Sequence, residues 1–226
     1  MIDLKTIQAH VGVRPDGVLG TKTLEAIGKA LGISQTVRIM KDPDPFFRAV
    51  RRITGALDQA QVDTINGMIA SAAHWPIGWL AYGFATAWHE ARLKPIEEIG
   101  AGAGKAYGKK GKYGQAQYGR GLVQLTWDVN YEWADEACAN AGLIVKGAIL
   151  KNFALVMRPD IATFILVTGM EGGHFTGKSL ADYIGPRGTA EQFMQARRII
   201  NGMDKAQLIA GYAEAFQDAI DAGKWG

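Results

Sequence analysis

At 226 residues, 48% of them apolar, the chain can bury one sizeable core beside a small second unit, so disorder is not the default reading. A net charge of +3 tilts the surface weakly toward anionic partners such as nucleic acid, acidic lipid or an acidic cell wall. The one cysteine, Cys138, excludes an internal disulfide and reads as an inert buried thiol.

The opening MIDLKTIQAH has no apolar run of the signal-peptide kind, so synthesis and retention in a cytoplasm are expected. Leu4, Ile7 and Val11 start an amphipathic helix, and Arg14-Pro15-Asp16-Gly17 makes a turn. A second helical pattern runs through Leu24, Ile27 and Leu31, entered by a tight turn at Gly20 with the Thr21 hydroxyl as cap. Residues 1–35 therefore read as a small helical module. Residues 36–45 read as a linker, because the prolines of Asp42-Pro43-Asp44-Pro45 bias their predecessors away from the α region.

Residues 46–226 read as one mainly helical domain. Val62, Ile65, Met68 and Ile69 carry helical spacing into the apolar run that ends at His89-Glu90. The stretches Trp75–Trp88 and Ile161–Met170 fall short of the roughly 18 to 20 residues of a spanning helix, so buried core helices and no stable membrane insertion are expected. Six glycines between Gly100 and Gly114, among Lys105, Lys109, Lys110 and Lys112, predict a mobile basic loop. Leu122 to Trp127 alternates, predicting a short strand with Val123, Leu125 and Trp127 on one face and Gln124 and Thr126 on the other. Leu208, Tyr212, Phe216 and Ile220, with Ile209, mark the core face of a C-terminal helix.

Two features carry chemistry. Glu90 closes an almost wholly apolar stretch, where partial loss of water favours the protonated acid that a glycosidic leaving oxygen requires. Glu97 and Glu98 follow beside the glycine loop and can stay ionised. An inverting glycosidase holds its base roughly 6.5 to 9.5 Å from its acid to admit water, a span that a short connection can cover. His10, His74, His89 and His174 lack partners at ligand spacing, so no metal and no cofactor are expected. Gly100-Ala101-Gly102-Ala103-Gly104-Lys105 fails the phosphate-loop pattern at Ile99 and at Ala106, and the glycine-diluted lysines have no aromatic platform for nucleic acid.

Taken together, Ala87-Trp88-His89-Glu90, the run Tyr118-Gly119-Arg120-Gly121-Leu122-Val123-Gln124-Leu125-Thr126-Trp127 through Asn130-Tyr131, and Arg197-Arg198-Ile199-Ile200-Asn201-Gly202 resemble glycoside hydrolase family 19, specifically its phage and prophage endolysin branch. Gly169-Met170-Glu171-Gly172-Gly173-His174-Phe175-Thr176-Gly177 is similar to the same branch. The resemblance implies a lysozyme-like bilobal helical domain with a small β element and inverting hydrolysis of a β-1,4 bond between amino sugars. It implies Glu90 as general acid, and the base on Glu98 or Glu97, with Glu98 preferred. It implies Thr126 as the hydroxyl that helps hold the attacking water, Tyr118, Gln124, Asn130 and Asn201 as sugar contacts, and Arg120 either as a further sugar contact or as a structural residue paired with a carboxylate near the cleft. Ala91-Arg92 stand where plant chitinases of this family carry two threonines, which argues against a chitinase-like subsite arrangement.

The N-terminal segment resembles the common peptidoglycan-binding domain in abbreviated form, implying wall contacts around Asp16, Gly17, Gly20 and Thr21. The expectation is a monomeric muramidase that reaches the periplasmic wall through a holin-type membrane pore and lyses its host. Its alternatives are a chitinase-type glycosidase and a non-catalytic wall-binding virion protein.

Overall fold

A computed structural model describes residues 3–17, 21–31 and 37–226, with the backbone alone at Thr21, Lys22, Leu24 and Glu25. The chain divides into two compact units, Met1–Arg38 and Ile39–Gly226.

In the first unit, Asp3 caps α1 (Leu4–His10) by accepting from the Thr6 amide at 2.8 Å. A turn then leads to α2 (Thr21–Ala30). The buried Gln8 organises the turn: Nε2 donates to Asp16 Oδ1 at 2.8 Å and Thr23 Oγ1 at 3.0 Å, while Oε1 accepts from the Gly17 amide at 2.8 Å. A buried primary amide left unpaired costs about 1–3 kcal/mol, so these bonds fix the loop. Asp16 and Gly17, expected as wall contacts, are thus engaged inside the unit, and Gly17 needs its left-handed φ of 81° to reach Gln8. Gly20 and the Thr21 side chain lie outside the described residues.

The second unit is mainly α with a small β element, the fold class expected from the sequence. Its first helix, α3 (Pro43–Thr54), takes in residues expected as linker. The two prolines sit in the first turn, where amides have no intrahelical acceptor and a missing N–H costs nothing. Asp58 and Gln61 form a reciprocal capping box at α4 (Gln59–Ser71), each accepting from the other's backbone amide at 3.0 Å. The apolar run becomes α5 (Ile77–Ala91), which stops because Arg92 and Leu93 both turn left-handed, at φ 53° and 57°.

Beyond it, β1 (Ile96–Glu97) pairs antiparallel with β2 (Arg120–Gly121), Ile96 facing Gly121 and Glu97 facing Arg120. The chain continues through α6 (Asp128–Asn140), α7 (Ala148–Lys151), α8 (Pro159–Gly172), α9 (Ala190–Gln195) and α10 (Ala206–Ala222). Helix α10 packs on α5, α3 and α9, while α4 and α6 pack on α8; α5 touches both groups. Trp75, Tyr82, Phe84, Phe46 and Phe216 fill the core around α5 without exposure. Cys138 is buried there too, which pushes its thiol up to about 12 and leaves no nucleophile. Among the described residues no helix is long and apolar enough to cross a membrane.

Three expectations change. Leu122 to Trp127 is no strand but a tight turn: Arg120 and Leu125 exchange backbone bonds at 3.1 and 2.8 Å, and Gly121, Gln124 and Trp127 adopt φ of 83°, 53° and 74°. Strict alternation requires continuous extended backbone; without it, Val123, Gln124, Leu125, Thr126 and Trp127 all line one groove. The glycine loop contains only one helical turn, Ala106–Gly108, yet is pinned. Tyr107 O accepts from Gln117 N at 2.7 Å, Asp128 Oδ2 from Lys112 N at 2.6 Å, and Glu132 from the Tyr113 hydroxyl at 2.8 Å. On α10 the buried stripe is Ile209, Ala213, Phe216 and Ile220, while Leu208 is 47% exposed. Each four-residue step drifts about 40° round a helix of 3.6 residues per turn, which carries Leu208 off the face that Phe216 occupies.

The unit's two ends meet. Met40 and Trp225 form an antiparallel bridge, Ile39 and Gly226 exchange backbone bonds at 3.4 and 3.2 Å, and the Trp225 indole donates to Trp75 O at 3.0 Å.

Candidate active site

Antiparallel pairing of β1 with β2 sorts the two adjacent carboxylates. Successive residues of a strand point to opposite faces, and Glu97 and Glu98 obey this. Glu97 Oε1 accepts from Arg120 Nε and from the Tyr118 hydroxyl, both at 3.1 Å. Arg120 is 6% exposed, its guanidinium lies 3.5 Å over the Tyr118 ring, and Nη1 donates to Ala116 O, Tyr118 O and the Tyr131 hydroxyl at 3.0, 3.1 and 2.9 Å. Glu97, Tyr118 and Arg120 therefore form a staple that holds the β element together, and none of them lines the neighbouring groove. Arg120 thus takes the structural one of its two expected roles, paired with the carboxylate of Glu97, and the Tyr118 hydroxyl is engaged by the same carboxylate.

Glu98 faces the other way, into a groove of about 610 Å³ that it lines with Tyr107, Gln124, Thr126, Asn130 and Asn201. Its Oε1 accepts from the Tyr107 hydroxyl at 3.0 Å and its Oε2 from the Gly119 amide at 3.1 Å. The bond to Glu98 holds the Tyr107 phenol above its ordinary value, so that it stays a donor. Each carboxylate oxygen keeps a lone pair for a further donor. A Cβ at Gly119 would stand 2.8 Å from Gln124 Oε1, so a larger residue there would have to displace the end of that side chain. Thr126 donates to Gln124 O at 2.7 Å, and Asn130 Nδ2 to Thr126 O at 2.7 Å, so the polar wall is cross-braced. Asn201 Oδ1 accepts from the Gly202 amide at 2.8 Å.

Glu90, near the end of α5, has a side chain 19% exposed and is not among the groove's lining residues. Its Oε1 accepts from Arg197 Nη1 at 2.6 Å. Arg197, 3% exposed, also donates from Nε to Asp204 O at 3.1 Å. The apolar surroundings expected for Glu90 thus include a fixed positive charge. Arg197 belongs to the helical turn Ala196–Ile199, whose continuation, Ile200 and Asn201, lines the groove. The guanidinium is the link between Glu90 and the groove wall. His89, beside it, is held below its ordinary value first by burial, against the opposing pull of Glu90 and with the help of Arg197.

His74 bonds Glu171 at 2.7 Å and His174 stacks on Trp133 at 4.5 Å, so both perform packing or pairing work. Among the described residues no group of three His, Cys, Asp or Glu side chains is disposed to hold a metal ion.

No protein-family description matches the chain, and no curated protein matches it in sequence. Among solved structures it is similar to chitinase C from Streptomyces griseus, with a TM-score of 0.47 and 19% identity over 80% of this chain and 77% of that one. At that distance each residue's role has to be read from this chain's own geometry.

That geometry brings Glu98, Gln124, Thr126, Asn130 and Asn201 together and sets Glu97, Tyr118 and Arg120 apart. Sequence reasoning missed three residues: Tyr107, which holds Glu98; Arg197, which holds Glu90; and Trp127, which was expected to point away from Gln124 and instead lines the groove with it. Arg197 and Trp127 left a signal, as parts of the resembling segments 197–202 and 118–127; Tyr107 left none.

Proposed function

We propose that this chain hydrolyses β-1,4 bonds of bacterial peptidoglycan as an inverting N-acetylmuramidase, with Glu98 as general base and Glu90 as general acid. The observation that carries the reading is the setting of Glu98: an ionisable carboxyl aimed into a polar groove, oriented by Tyr107 and the Gly119 amide, beside the Thr126 hydroxyl. In this reading Glu98 takes a proton from a water that Thr126 helps to hold. The oxygen of that water attacks the anomeric carbon, and the leaving O4 receives a proton from Glu90. Arg197 occupies Oε1 of Glu90, which leaves Oε2 as the oxygen available to the leaving O4. Gln124, Asn130 and Asn201 bind the sugar's hydroxyl and acetamido groups.

The first unit would hold the enzyme on its polymer and raise the local concentration of substrate. Host lysis after passage through a membrane pore belongs to the same proposal, as does action by a monomer.

One observation favours a second reading. Glu90 stands outside the groove lining and is tied to Arg197, as it would be in a protein that binds glycan without cutting it. Mass spectrometry of fragments released from purified peptidoglycan, with reducing ends labelled by borohydride, separates the two. The wild type should release reduced N-acetylmuramic acid ends, Glu90→Gln and Glu98→Gln should lose about 100-fold or more, and Glu97→Gln should lose less than about ten-fold. Reduced N-acetylglucosamine ends would keep the mechanism and change the bond; release by neither wild type nor variants would leave the binding protein.

A further inference from the structure

Of the six tryptophans, Trp127 alone is exposed, at 44%, and it lines the groove. Its φ of 74° is one that a bulky side chain rarely adopts. Three backbone bonds hold it there: its amide donates to Gln117 O at 3.0 Å, and its carbonyl accepts from Asn130 and Tyr131 at 3.0 and 3.3 Å. Strain kept in place by its surroundings while a large apolar ring is turned toward solvent is a mark of a binding position. The Tyr107 ring meets the indole edge-to-face, with centroids 5.6 Å apart and planes at 85°, which leaves at least one indole face uncovered by Tyr107.

The chemistry of the groove narrows the ligand. Among the described residues no Lys, Arg or His lines it; the polar lining is Glu98, Tyr107, Gln124, Thr126, Asn130 and Asn201. Phosphate and nucleic-acid backbones find no cation there. A neutral ring with hydroxyl and amide groups round its edge and an apolar C–H face suits this lining, and that is an N-acetylated hexosamine pyranose.

We propose that Trp127 is a stacking platform for one such pyranose, and that the backbone strain at this residue serves to present the indole face. The inference rests on the glycan-cleaving reading above and assigns a specificity residue to it. Trp127 touches sugar and takes no part in proton transfer.

On soluble glycan, Trp127→Ala should raise KM about ten-fold with kcat within about three-fold of wild type, and Trp127→Phe should restore most of the loss. A fall in kcat at unchanged KM overturns the proposal. Because the alanine variant alters the entry to α6, a second measurement uses the unaltered protein: hydroxyl-radical footprinting with and without a tetramer of β-1,4-linked N-acetylglucosamine. Protection of Trp127 together with Tyr107 supports the platform. Protection of Tyr107 without Trp127 refutes it while leaving the glycan reading intact; no protection anywhere in the groove, with no cleavage, defeats that reading and the platform with it.

Discussion

Removing the guanidinium that Glu90 meets is the sharpest perturbation of the site. At 2.6 Å and an effective dielectric constant of about 20, the gross attraction between Arg197 and Glu90 is about 6 kcal/mol. The net figure is smaller, because both groups gave up water to form the pair. Breaking a buried pair from one side costs about 3–5 kcal/mol, since the other charge is stranded. The Glu90 side chain keeps 19% of its exposure, which puts Arg197→Met near the lower end, about 3 kcal/mol. For a unit of this size that lowers the melting temperature by about 6 to 12 °C in calorimetry. Replacing both partners, Arg197→Met with Glu90→Leu, should recover more than half of the loss, because no charge is then left without its partner. Additive losses in this double-mutant cycle, or an Arg197→Met variant that melts with the wild type, would refute the pairing as a source of stability.

Two further perturbations test packing and charge. Gly169→Ala on α8 gains up to about 1 kcal/mol of helix propensity, yet its Cβ would stand 2.1 Å from the Phe175 ring; overpacking at about 1–3 kcal/mol wins, so urea unfolding should show a net loss and KM should rise because Phe175 lines the groove. Gly211→Ala on the exposed side of α10 meets nothing within 4 Å and should stabilise by about 0.5–1 kcal/mol in the same assay. The His74 bond, against the opposing push of burial and with the help of the Trp75 indole, holds the Glu171 carboxyl below its ordinary 4.5. Its stabilisation is therefore complete above that value and is lost as pH falls from 4.5 through the lowered folded value, so Glu171→Gln should flatten the acid limb of stability against pH.

Legibility in the sequence followed the range of the interactions involved. Helices were visible because their burial repeats within one element: the run before Glu90 is α5, and Ile161 to Met170 lies in α8. The groove's polar side was visible in part, since Gln124, Thr126 and Asn130 lie within one short segment. The turn that carries them was not, because it depends on left-handed φ at Gln124 and Trp127, residues whose types do not announce it. Arg197 lies 107 residues from Glu90 and Arg120 lies 23 from Glu97, so only the folded chain says which carboxylate meets which cation. The choice between Glu97 and Glu98 has the same origin: the pleat sets them on opposite faces, but which face is the groove is decided by Tyr107 and Gly119.

The antiparallel bridge between Met40 and Trp225 also has topological weight. With Ile39 and Asp42 hydrogen-bonded to Gly226 and Gly223 on either side of that bridge, the segment between them is geometrically almost a ring. A covalent link across this seam would join residues that already lie side by side and close the intervening loop without moving either. A closed ring gives the unfolded ensemble fewer shapes to explore while leaving the folded one as it is, which makes the seam at Trp225 the natural place for a covalent staple.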